Sequence, residues 1–191
     1  METNTHYALK FKALQWLYSK GCKHIALELK YGKYIFDVIG TDGHSIYIIE
    51  AKQAKEDFLR ECNKPEKLKE NIQEYKNLLI STGDKKYKEM LDKEREKSWK
   101  FYDPMFLRLA SERYIIAPDG LVDDELVPEN WGLINEEPRQ IIKSVKTQID
   151  KLYTVKIINE ISKKNTKHYM KSIGVDFDAK NPIFPNWELY L

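Results

Sequence analysis

YIFDVIGTDGHSIYIIEAK, residues 34–52, decides how this chain folds. Tyr34 to Gly40 and Ile46 to Lys52 are rich in Ile, Val, Tyr and Phe, the side chains that suit a pleated strand. Asp42-Gly43 lies between them, a dipeptide favoured in tight hairpin turns. A two-residue turn would set Thr41 against His44, with opposed residues summing to 85, so that Asp37 would face Ile48. Glu50 and Lys52 then share the face of Asp37, because side chains alternate with a period of two. Asp37 and Glu50 become diagonal neighbours, with Cβ atoms on the order of 7 Å apart.

Both faces of this hairpin are apolar. Ile35, Ile39, Ile46 and Ile48 accompany the acids, and Phe36, Val38, Tyr47 and Ile49 fall opposite, which describes a buried central piece of sheet. Two carboxylates there repel each other and resist desolvation. A divalent cation removes the conflict, and an oxygen-only donor set points to Mg²⁺ or Mn²⁺. The plainer reading, an ion pair with Lys52, neutralises one acid and leaves the other alone. An acid, any residue, then Lys also occurs at Glu28, Glu74, Asp84 and Asp178, so the triplet has meaning only where it ends a paired apolar strand.

Working outward, Thr3 to Thr5 offer N-caps for a helix to about Lys20, with Tyr7, Phe11, Leu14 and Tyr18 at helical spacing and Gly21 closing it. His24 to Lys30 reads as a strand joined to the next through Tyr31-Gly32-Lys33, giving an antiparallel meander. The pattern turns helical from Ala54, Pro65 opens a second helix with Leu68, Ile72, Tyr75 and Leu79 as its stripe, and residues 83–110 read as a charged helical insertion. Arg113 to Ala117 and Trp131 to Ile134 are further strands, the second the last one, with Gly132 allowing close packing. A helix over Pro138 to Lys164 follows, and the apolar tail of Phe184, Trp187 and Leu189 docks on the core. One α/β domain over residues 1–191 is the expectation.

Composition narrows the class only mildly. The 191 residues carry a net charge of +2, which neither demands nor excludes a polyanion. Cys22 and Cys62 form no metal spacing and suit a reducing, cytoplasmic setting; no run is long enough for a membrane span. His6, His24, His44 and His168 are dispersed and form no ligand pair. Lys55 and Asp57 read as the solvated side of a helix.

Asp37 followed by Glu50-Ala51-Lys52 resembles the signature of the PD-(D/E)XK, or restriction-endonuclease-like, superfamily. FDVIG, IYIIEAKQAKEDFL, RYIIAPDGLV and VPENWGLI are similar to its MmcB-like DNA-repair branch and cover about a third of the chain. Asp37 lacks the proline of the superfamily's name, a common departure. The resemblance implies an αβββαβ core with a mixed sheet between helices, and a Mg²⁺-dependent nuclease acting on DNA in repair or processing, with RNA left open. It implies that Asp37, Glu50 and the Ala51 carbonyl hold the metal, that Lys52 orients or activates water, and that products carry 5′-phosphates. Glu28 corresponds to an additional upstream acid in many members, and reaches the Asp37 face if the Tyr31–Lys33 turn has two central residues. Gln53 could touch phosphate, and Lys163, Lys164 and Lys167 could grip a nucleic-acid backbone. A catalytically inactive binding or assembly module of the same fold is the alternative, and a homodimer or a repair-complex partner is compatible with either.

Overall fold

The computed structural model describes residues 3–96 and 100–172. Its elements are α1 (Asn4–Ser19), β1 (His24–Tyr31), β2 (Tyr34–Thr41), β3 (Ile46–Ala51), α2 (Lys55–Thr82), α3 (Lys85–Glu96) and α4 (Pro104–Leu107). Then come β4 (Glu112–Ala117), a 3-10 turn at Asp124–Leu126, β5 (Trp131–Asn135), β6 (Gln140–Ile142) and α5 (Lys151–Ser172). The six strands form one sheet in the order β1-β2-β3-β4-β5-β6. The first three are antiparallel neighbours, β4 and β5 lie parallel to β3, and β6 returns antiparallel. This is an α/β fold with a mixed sheet flanked by helices.

Helices cover both faces. On one, Leu9, Ala13, Trp16 and Leu17 of α1 pack with Val38, Tyr47, Ile49, Tyr114 and Ile116. On the other, Phe58 of α2, Phe101, Phe106 and Ile157 and Ile161 of α5 pack with Phe36, Ile39, Ile48, Ile115 and Trp131. β5 seats tightly against β4 at Gly132, where an added Cβ would lie 2.4 Å from the Tyr114 ring and 2.6 Å from the Ile142 carbonyl. The close packing expected at this glycine is therefore present.

Several expectations need correction. The Asp42 carboxylate accepts the backbone N–H groups of both His44 (2.8 Å) and Ser45 (2.7 Å). That local hydrogen bonding widens the turn to residues 42–45, and Thr41 faces Ile46 instead of His44. The register sum is 87, two more than expected; a shift of two preserves which residues share a face. Ile35 is half exposed, and Phe36 packs with Ile39 whereas Val38 packs across the sheet. β1 changes sides at the same level, since Ala26 and Leu29 share a cluster. Glu28, with φ of +50°, lies at that switch, and Asp37 is level with it.

The α1 stripe is also different. Tyr7, Phe11 and Tyr18 are exposed, and the buried face runs through Leu9, Lys10, Ala13, Trp16 and Leu17. α2 continues through position 65 as one helix, so Pro65 does not open a second one. α3 folds back along it, with Leu68 and Leu91 buried and Asn71 donating to Glu94 at 2.8 Å. Within residues 83–110, Phe101, Phe106 and Ala110 are core side chains, so the added helical hairpin ends before them. The chain adds β6 after β5, and residues 143–150 are irregular, so the last helix begins at Lys151 and not near Pro138. The segment 145–147 is held there by the fully buried Arg113, which donates to Val145 O, Ala110 O and Thr147 Oγ1. The tail expected to dock lies outside the described residues. Among the described residues, no helix is long and apolar enough to cross a membrane.

Candidate functional site

The β2–β3 register runs from Thr41–Ile46 to Val38–Ile49, so Asp37 and Glu50 are the next residues of the two strands beyond its last pair. The Asp37 Oδ2 accepts the Ala51 N–H at 2.9 Å, which fixes its carboxylate at the end of β3. Glu50 stands next to Ile115 of β4 and is 2% exposed. β3 is held in line there by Lys52 N–H donating to Ile116 O at 2.9 Å. Asp37, Glu50, Ala51 and Lys52 all line one cleft of about 350 Å³, bounded by the start of α1, the first turns of α2 and Lys100.

Burial is the largest influence on Glu50 and raises its pKa to about 7. Lys100 opposes the rise, Asp37 adds to it, and Lys52 opposes it more weakly. Lys100 Nζ meets both Glu50 oxygens, at 2.9 and 2.7 Å, and also donates to Ile35 O. Lys52 Nζ lies 5.6 Å from the centre of the Phe101 ring, a cation–π contact that keeps the amine beside the cleft. Lys100 and Lys52 together do not offset the burial of this carboxylate.

The sequence reading passed over three side chains that the fold brings to these acids. His6 Nε2 lies 3.2 Å from the Ala51 carbonyl oxygen and 3.7 Å from Asp37 Oδ2. Lys10, one helical turn later, is 3% exposed; its Nζ binds Glu28 Oε1 at 2.7 Å and stands 3.7 Å from Asp37 Oδ1. Lys100 is the third. The available signal for the first two was their four-residue spacing, which puts them on one side of a helix. The exposed aromatic stripe drew attention to the wrong side.

The remaining expected residues divide. Glu28 is level with Asp37, as a turn with two central residues, Gly32 and Lys33, requires, but its side chain is 52% exposed and engaged by Lys10. Gln53 lines the cleft and accepts the Thr3 hydroxyl. Asp57, read as a solvated helix residue, also lines the cleft and pairs with Arg60. Lys164 Nζ donates to the Glu28 carbonyl at 3.3 Å, so α5 runs past β1 at Glu28, but no described residue of α5 lines the cleft. Lys163 pairs with Glu160 at 2.7 Å on the exposed side of α5, and Lys167 lies one turn beyond Lys163.

The donors suit a hard divalent cation by type. Asp37 Oδ2 and Ala51 O are both close to the single point that His6 Nε2 occupies, and the under-compensated Glu50 adjoins them. Among the described residues no group of three or more His, Cys, Asp or Glu side chains forms a ready cage. A cation would thus draw on the Ala51 carbonyl and water beside the two carboxylates.

No family model matches the chain, and no curated protein matches it. The structure of the SPO1766 protein of unknown function from Silicibacter pomeroyi is similar, with a TM-score of 0.60 and 13% sequence identity, covering 94% of this chain and 100% of that one. At this identity the likeness concerns the fold.

Proposed function

We propose that the chain is a metal-dependent nuclease of the restriction-endonuclease-like class, hydrolysing DNA phosphodiesters in repair or processing. The observation that carries this reading is the meeting of Asp37, Glu50, the Ala51 backbone and Lys52 in one cleft at the end of β3, with the Asp37 carboxylate bound to the Ala51 N–H. The order helix, three antiparallel strands, helices and a parallel strand also agrees with the αβββαβ core that the resemblance implies.

Asp37, Glu50 and the Ala51 carbonyl would hold Mg²⁺ or Mn²⁺, which when bound polarises a phosphoryl oxygen and lowers the pKa of water. Lys52 holds a proton donor beside the scissile phosphate and orients the attacking water. Asp37 is kept in place by the Ala51 N–H and by Lys10, so its carboxylate points into the cleft without reorganisation. Lys100 offsets part of the Glu50 charge while no cation is present, and would yield to a stronger charge.

The Lys100–Glu50 pair also favours a second reading, in which the site is a closed ionic network and the protein is a catalytically inactive nucleic-acid-binding or assembly module. Cleavage of plasmid, linear duplex and single-stranded DNA with Mg²⁺ or Mn²⁺ decides between them. The nuclease reading expects cutting by the wild type and a loss of at least about a hundredfold in Lys52→Ala and Asp37→Asn. Calorimetric titration with Mn²⁺ completes the test. Binding without cutting points to a missing partner or substrate, and no binding sinks the nuclease reading and favours the ionic network.

A further inference from the structure

We propose that the exposed face of α1 is a stacking platform for single-stranded nucleic acid and leads a strand toward the Asp37–Glu50 cleft. The leading of a strand into a reaction rests on the nuclease reading; the stacking itself does not.

Tyr7, Phe11 and Tyr18 are 56%, 49% and 74% exposed, although α1 has a complete apolar face of its own on the sheet. At 1.5 Å per residue, Tyr7 and Phe11 are about 6 Å apart along the axis, and Tyr18 about 10 Å further on. Their positions differ by four and seven residues, so the rings form one row along the helix. Base stacking on rows of aromatic side chains is tolerant of sequence, because every base has a π-face.

Two further observations choose the occupant. No Asp or Glu occurs between residues 3 and 27, although the chain holds 30 acids; the same segment contains Lys10, Lys12, Lys20 and Lys23. Lys10 is committed to Glu28, whereas Lys20 and Lys23 are exposed beyond the helix end and Lys12 is partly so. A carboxylate-free, lysine-bearing helix with aromatic side chains complements a polyanion with free bases. The row also starts near the cleft, since Thr3 lines it and Tyr7 lies one helical turn after Thr3, its N–H bonded to the Thr3 carbonyl at 3.1 Å. A duplex keeps its base faces stacked on each other, so only an unpaired strand can use these rings. Self-association is a weaker match: with about half to three-quarters of each exposed, three such side chains offer at most roughly 450 Å², against roughly 800 Å² per partner in a stable interface.

The test is fluorescence anisotropy on the full chain in EDTA, where no cleavage occurs, with a labelled oligothymidylate and a blunt duplex of equal length. The wild type should prefer the single strand. Tyr7→Ala, Phe11→Ala and Tyr18→Ala should each weaken that binding by about fivefold or more and leave duplex binding unchanged, while Tyr7→Phe and Tyr18→Phe retain it. All three side chains are exposed, and thermal melts of the variants should match the wild type. Unaltered oligothymidylate binding in the triple alanine variant overturns the proposal, as does failure of the wild type to bind it. A wild-type dimer in light scattering that the substitutions dissociate also overturns it, because a second copy would then cover the face. Stacking with no cleavage under any metal would leave the platform standing and remove the nuclease reading; cleavage with unaltered binding in the triple variant would do the reverse.

Discussion

Glu50 and Asp103 are both buried carboxylates facing a lysine, and they are held in opposite ways. Burial pushes the Asp103 carboxyl up, but the Tyr34 hydroxyl at 2.6 Å, the Met105 N–H at 2.9 Å and Lys33 at 3.2 Å outweigh it, and its pKa falls below the ordinary value of 3.8. Burial acts the same way on Glu50, where Lys100 and Lys52 do not overcome it and Asp37 works against them, so its pKa climbs to about 7. Asp103 caps α4 and ties it to β2, a structural task complete in itself. Glu50 lies near the end of a strand, in a cleft that a second acid, Asp37, also lines. The difference separates a carboxylate that stabilises the fold from one that the fold tolerates.

The largest expected effect that tests this contrast is in Glu50→Gln. Removal of the site's second carboxylate should lower metal-dependent cleavage by about a thousandfold, on the order of 4 kcal/mol in the barrier. The same variant should melt higher than the wild type at pH 8, by about 2 kcal/mol in stability, because it no longer buries a poorly compensated charge. The sign follows from linkage. A folded-state pKa near 7 against an ordinary 4.5 means the native state binds the extra proton in that window. Wild-type stability should therefore fall as pH rises from about 4.5 through 7, and the variant should lack that slope. A variant that melts lower at pH 8 would show Glu50 to be a net stabiliser, like Asp103.

Lys100→Met comes next. It leaves Glu50 without its nearest cation and should cost on the order of 3 kcal/mol at pH 8, and much less at pH 5.5, where the carboxyl is protonated. Added Mn²⁺ should recover part of the loss at pH 8 if the acids bind metal. Urea melts at the two pH values, with and without Mn²⁺, read all of these terms. Equal losses at both pH values would mean that Lys100 acts through packing and not through charge.

How the sequence conveyed this site is instructive. Strand alternation has a parity, so the wrong turn length at Asp42 still left Asp37, Glu50 and Lys52 together; an error of one residue would have scattered them. The exact register was not legible, because it depends on the Asp42 carboxylate folding back onto two backbone N–H groups. The change of sides at Glu28 and Asp37 was hidden as well, since a positive φ at a glutamate leaves no sequence mark. The α1 face was misread because aromatic residues at helical spacing look like core. Here Lys10 sits on the buried side and Tyr7 outside. Lys100 could not be found at all: in a chain with 32 basic residues, nothing local distinguishes the one that reaches back fifty positions to Glu50.

The smallest effect tests the other half of the comparison. Asp103→Asn keeps an oxygen for the Met105 N–H and for Tyr34, but loses the charge that Lys33 and the short Tyr34 bond exploit. The expected cost is about 1 kcal/mol at pH 7, with metal-dependent cleavage unchanged because the residue lies outside the cleft. A depressed folded-state pKa contributes stability that is present above 3.8 and lost as pH falls through the lower, folded value. The gap between wild type and variant should accordingly close only in strong acid, while the gap at Glu50 closes between 7 and 4.5. Two buried acids would then lose their influence in separate pH windows, with opposite signs. A gap at Asp103 that closed near neutrality would mean its three partners do not outweigh burial, and that the two sites differ in depth alone.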